Sequence, residues 1–202
     1  MIRILLAALM FALAAPAAAQ MYVSLGTTVS RASQDIPAEF SGRGFSPAFG
    51  VGFDFGRRFA VGASWYSPDQ LGHYGLTVSS GSNVTTTAIA QTADGLKLSG
   101  FFYPLNGERW AAFVSGNLYV LHGESATAAT TTNNGVFVSG SSSVTKGSDT
   151  LAGIGAGVEY RFMDKASLRV HVDALDTSAK LYGDAMGKRR VVNATVDLVK
   201  RF

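Results

Sequence analysis

The sequence has no cysteine, which excludes a disulfide framework, a thiolate metal site and a cysteine nucleophile. Charge is scarce too: Asp, Glu, Lys and Arg make up 15% of the 202 residues, against about 25% in an ordinary soluble domain. The formal excess of +3 is small and scattered, so no basic stripe marks nucleic acid as a partner. After Gln20 no uninterrupted apolar run is long enough to cross a bilayer as a helix, which takes about 20 residues. What remains is 47% hydrophobic and holds 23 Gly. That composition argues against disorder. It leaves a Gly-rich soluble β protein or a membrane β-barrel.

The first segment addresses the compartment. Arg3 is followed by an apolar run over 4–15, then Pro16 and the small residues Ala17, Ala18 and Ala19. A short cationic start, an apolar stretch too short to span and a small-residue site describe a secretory leader. The expected cut follows Ala19, giving a leader over 1–19 and one mature domain over 20–202. A transmembrane anchor is the competing interpretation, and the apolar run is too short for it.

The mature chain alternates with period two, the mark of strands with unlike faces. Eight such segments occur, at 21–29, 47–55, 59–66, 96–103, 110–120, 152–162, 166–174 and 192–202. Their connections at 56–58, 104–108 and 163–165 are short. Those at 30–46, 67–95, 121–150 and 175–188 are long and rich in Ser, Thr, Gly and Asn. Short turns at one end and long loops at the other, with both termini at the short-turn end, match an outer-membrane barrel.

Sidedness decides between lipid and water. One face of each segment is apolar, while the other carries Gly, Ser, Asn and both signs of charge. Asp54, Glu159, Asp173 and Asp197 share that second face with Lys97, Arg161, Arg169, Arg201 and His171. Turned inward, these residues can pair within a barrel just wide enough for side chains. Turned outward, each Arg or Lys at the midplane would cost about 2–4 kcal/mol. On the apolar face Phe55, Phe59, Phe102, Trp110, Tyr160, Phe162 and Phe202 lie near the short turns, where an interfacial girdle belongs. The expected fold is therefore all-β: an eight-stranded antiparallel up-and-down transmembrane β-barrel with short periplasmic turns and long extracellular loops. Lipid leaves no edge unpaired, so the first strand must meet the eighth. A soluble lipocalin-like barrel is the alternative, and it would leave the aromatic ring in water.

The run GIGAGVEYRF at 153–162, followed by MDKASLRV, resembles the strand–turn–strand unit of small outer-membrane barrels of the outer-membrane protein A and X type. The FFYPL turn and the following NLY within 97–119 are similar to that group. The terminal Phe202 resembles the aromatic signal read by the barrel-assembly machinery. The resemblance implies a bacterial outer-membrane protein of a Gram-negative cell, with membrane lipid and the assembly machinery as partners.

Chemistry is sparse. His73, His122 and His171 have no metal-ligand spacing, and neither metal nor cofactor is expected. His171, Asp173 and Ser167 contain the residue types of a hydrolytic set, but they alternate inward, away from any lipid substrate. The Gly153-x-Gly155-x-Gly157 pattern lies within a strand and opens no helix, so it is no nucleotide loop. Small residues there leave room for Arg169 and Phe113. Closure brings the last strand beside the first, gathering Arg31, Arg43, Lys180, Lys188, Arg189 and Arg190 at the loop rim. Such a patch suits lipopolysaccharide phosphates. Turn formers between β-prone arms in the second and third long loops predict hairpins that carry strands beyond the membrane and could accept a partner strand. The expected role is structural or interactive, through the loops and a protein partner there, without catalysis. A lipid-modifying barrel enzyme and a narrow pore are the alternatives.

Overall fold

The computed structural model describes residues 19–33, 43–67, 72–177, 181 and 189–202. Of the expected leader over 1–19, residues 1–18 lie outside this set and Ala19 opens the first strand. Among the described residues nine strands follow in order: β1 (Ala19–Ser33), β2 (Arg43–Phe55), β3 (Phe59–Tyr66), β4 (Gly72–Ser80), β5 (Asn83–Asn106), β6 (Trp110–Asn133), β7 (Val136–Met163), β8 (Ala166–Thr177) and β9 (Arg189–Arg201). Eight of them form the ring. Antiparallel neighbours run from β3 through β2, β1, β9, β8, β7 and β6 to β5, and β3 also pairs with β5. The first and last strands meet from Tyr22↔Arg201 to Ser33↔Arg190. Among the described residues the cylinder has no edge at membrane level, as closure in lipid demands.

Alternation sorts the side chains as the sequence predicts. Leu25 is 71% exposed and Ile154 76%, whereas Tyr119, Phe113, Glu159 and Arg169 are buried. An apolar exterior around a charged interior inverts the arrangement of a soluble domain and suits lipid as the outer solvent. The girdle residues Phe59, Phe102, Trp110, Phe162 and Phe202 are exposed. Phe59 stacks on Phe102 at 5.2 Å and Trp110 on Tyr160 at 4.6 Å between ring centroids. On β6 the outward set from Trp110 to Val120 is apolar or glycine, close to the 9–11 residues that a tilted strand needs to cross. Val114, at its middle, pairs with Phe102 and Ala156 and is 49% exposed. Val114→Arg is expected to destabilise the barrel by about 2–4 kcal/mol, read as a lowered urea midpoint in phospholipid vesicles.

The ninth strand changes the picture of the loops. β4 pairs with the upper part of β5 from Gly72↔Gln91 to Ser80↔Asn83. Above the lipid zone β5, β6 and β7 continue their pairing to Asn83↔Asn133 and Asn133↔Val136. Asn134 and Gly135 both have positive φ, 47° and 79°, the paired left-handed geometry of a two-residue I′ hairpin, for which Asn-Gly is the preferred dipeptide. Most of the second and third long connections is therefore sheet. The inner face stays buried as far as Gln91 and Ser125; beyond them both faces meet water, so Thr and Ser serve on either side and the apolar contrast fades.

Candidate functional site

The lumen holds two linked clusters. Nearest the short turns Glu159, fully buried, is the hub. Its carboxylate accepts from Arg169 Nε and Nη2 at 3.2 and 3.1 Å, Arg201 Nη2 at 2.6 Å, Ser167 Oγ at 2.9 Å and Tyr103 Oη at 3.2 Å. Arg201 also donates to Asp54 at 2.7 Å. The Arg169 guanidinium lies over the rings of Tyr22, Phe101 and Phe113 at 5.1, 4.8 and 5.7 Å, so its faces meet π systems while its edge meets carboxylate. Strand register explains the assembly: Glu159 and Arg169 are direct partners across β7 and β8, and Arg169 faces Asp197 across β8 and β9.

The second cluster, nearer the loops, centres on Asp173. Lys97 Nζ approaches its Oδ1 at 2.5 Å, Asn193 Nδ2 donates at 2.9 Å, and Tyr119 Oη donates to the other oxygen. Asn193 accepts in turn from Ser30 and Tyr66 at 2.7 and 2.9 Å. His171 Nε2 stands 3.5 Å from Asp173 and its Nδ1 3.9 Å from Asp197. Beside Asp197 a cavity of about 40 Å³ is lined by Ser24, Thr28, Ser64, Ser99 and Thr195. Its lining also includes Tyr22 and Phe101, and it is large enough for a few waters, at about 10–15 Å³ each.

Of the nine charged residues placed inside by alternation, Lys97, Glu159, Arg169, His171, Asp173, Asp197 and Arg201 are buried, and Asp54 joins them through Arg201. Arg161 sits at the short-turn rim, where it donates to the Gly107 carbonyl at 3.0 Å and lies 3.7 Å from Glu159. Alternation also turned Tyr22, Tyr103, Tyr119, Ser167 and Asn193 inward, but it gave no sign of their partners. Those partnerships join strands far apart in sequence, such as Tyr103 with Glu159. The set His171, Asp173 and Ser167 splits between the clusters: Ser167 serves Glu159, while His171 sits beside Asp173.

At the loop rim, backbone register sets Arg31 opposite Arg43, Ser33 opposite Arg190 and Thr177 opposite Arg189. Arg190 pairs with Asp176 at 3.0 Å in the open, and this contact raises its already high pKa. Arg31 is exposed; for Arg43 and Arg189 the described part is the backbone. Lys180 and Lys188 lie outside the described residues. Phe202 is exposed on the lipid face, its N–H bonded to the Met21 carbonyl at 3.0 Å.

A family model described as the outer membrane protein beta-barrel domain matches residues 4–198. Among solved structures, Neisserial surface protein A is similar over 90% of this chain and 97% of its own, with a TM-score of 0.57 and 13% identity. The attachment invasion locus protein of Yersinia pestis, in complex with the heparin analogue sucrose octasulfate, is similar over 91% of this chain and 99% of its own, with a TM-score of 0.52 and 16% identity. No curated protein matches the chain by sequence.

Proposed function

Because the chain belongs to the outer membrane β-barrel domain family, we propose that it is a surface-interaction protein whose working part is the sheet standing above the lipid. One observation carries this: β4, β5, β6 and β7 extend as a four-stranded layer with an uncharged, one-sided edge. At about 3.3 Å per residue the stretch 125–133 of β6 alone is about 30 Å along the strand. Residues 72–92 and 125–145 contain no Asp, Glu, Lys or Arg. The pairing of β7 with β8 begins at Gly153↔Leu175, so among the described residues 136–145 has a strand neighbour on the β6 side alone. Val136, Phe137 and Val138, 68%, 65% and 58% exposed, crown this edge.

An edge without charge or proline is open to strand addition. Main-chain hydrogen bonds supply affinity in that mode, and side chains such as Phe137 supply selectivity. The partner is a protein with an accessible strand. Arg31, Arg43, Arg189 and Arg190 give the rim a second contact, with the phosphates of lipopolysaccharide around the barrel. Cleavage after Ala19 releases the mature chain for assembly.

Excision of 129–141, with Ala128 joined to Ser142 through Asn-Gly, tests the proposal. These two residues are direct partners across β6 and β7, so a two-residue turn closes the shortened hairpin. Cells displaying the parent chain should attach several-fold better to fibronectin-, laminin- or serum-coated surfaces. The excised form should lose that gain while keeping the mobility difference between boiled and unboiled samples. Equal attachment of both forms to all three surfaces would refute an adhesive sheet.

A further inference from the structure

The outward face of β5, β6 and β7 changes character over one step. The cross-strand rows Leu98–Leu118–Ala152 and Leu96–Val120–Thr150 belong to the lipid zone or its margin. The next row up is Asp94–His122–Ser148, and above it stands Thr92–Glu124–Lys146. Asp94, His122 and Ser148 are all exposed. The Ser148 hydroxyl lies 2.7 Å from His122 Nδ1. Glu124 and Lys146, an ion pair at 3.0 Å, flank the row on the same face, and all five line one shallow depression.

We propose that this row is a serine-esterase site for acyl esters of the outer leaflet, an activity beyond the interaction role above. Its height fits the substrate. The row begins where apolar contact ends, which is the depth of the ester carbonyls between acyl tails and headgroups. Its orientation fits as well, because the side chains point out of the cylinder toward surrounding lipid, unlike His171 and Ser167 in the lumen. Neighbouring strands hold direct partners about 5 Å apart, so nucleophile and base sit on a rigid sheet.

The chemistry follows from the hydrogen bond. With the imidazole proton on Nε2, Nδ1 accepts from Ser148. As Oγ attacks the ester carbonyl carbon, His122 takes the hydroxyl proton and the carbonyl π electrons move to oxygen. The tetrahedral adduct then collapses, the C–O bond to the lipid alcohol breaks, and His122 returns the proton to that leaving oxygen. Water next attacks the acyl-Ser148 ester through the same base. It releases a fatty acid and restores the serine hydroxyl. Asp94, the direct partner of His122 across β5 and β6, and Glu124, two residues along on the same face, put negative charge on the side where the transient imidazolium forms. Lys146, two residues from Ser148 on the same face and paired with Glu124 at 3.0 Å, supplies a cation that can swing to the developing oxyanion.

The acyl ester could come from glycerophospholipid or from lipid A. Refolded full-length mature protein should therefore be offered vesicles of phosphatidylethanolamine and phosphatidylglycerol in one arm and purified lipopolysaccharide in the other, with released fatty acid quantified. Release in either arm, reduced at least ~100-fold in Ser148→Ala and in His122→Ala, supports the site, and the productive arm names the lipid. Both positions are exposed, so the variants should keep the unboiled mobility of the folded barrel. A fluorophosphonate probe should label the parent at Ser148 and leave Ser148→Ala unlabelled. Failure of release in both arms, release that survives both substitutions, or absence of labelling at Ser148 would overturn the proposal.

Discussion

Glu159→Gln is expected to destabilise the barrel by about 3–5 kcal/mol, the range for breaking a buried ion pair from one side. The substitution keeps the shape of the side chain and removes its charge. Arg169, 2% exposed among three aromatic rings, is left without a carboxylate at hydrogen-bond distance among the described residues. Arg201 retains Asp54 at 2.7 Å, so the larger share of the penalty falls on Arg169. Both tryptophans, Trp65 and Trp110, are exposed on the outer face. Their emission therefore reports loss of lipid contact during urea unfolding. Lys146→Gln, which breaks an exposed pair with Glu124, should leave the midpoint unchanged within error.

The second large effect concerns volume. Gly157→Leu should prevent the compact unboiled form, because overpacking a filled interior commonly costs about 1–3 kcal/mol or more. Even a Cβ at Gly157 would meet the Val170 carbonyl, and would lie 2.6 Å from both His171 Cβ and Phe113 Cζ. Gly116, on the opposite face of the neighbouring strand, meets nothing within 4 Å. Gly116→Leu should fold and insert at least as well as the parent. The contrast reads out sidedness by itself: one glycine makes room for a packed lumen and the other leaves a notch in the lipid surface. Equal yields of folded protein from the two variants would contradict the orientation.

How much of this was legible in the sequence follows from where the two solvents differ. Between lipid and lumen the contrast is steep, so period-two alternation located all eight ring strands and turned Glu159, Arg169 and Asp173 to the right side. Above the membrane both faces meet water, the pattern flattens into Thr, Ser and Ala, and β4 emerged only as a hairpin arm within a loop. The Asn134–Gly135 turn was readable because left-handed backbone at two consecutive positions needs particular residues. Partners within the lumen were not readable. Which tyrosine reaches which carboxylate depends on stagger around the cylinder, and stagger has no local sequence mark. The outer row at His122 was missed for a related reason: Asp94, His122 and Ser148 become neighbours only through the registers of two long hairpins.

The join between β1 and β9 also governs how the cylinder comes into being. Every other join links strands adjacent in the chain, apart from the β3–β5 junction across the β4 arm. Hairpins can thus zip in succession at modest entropic cost, whereas Tyr22 must wait for Arg201. Until β9 has paired with β1, two rows of amide groups stay open, and hydrocarbon tolerates neither. Closure therefore depends on β9 as a whole, and a chain without it would remain an unclosed ribbon.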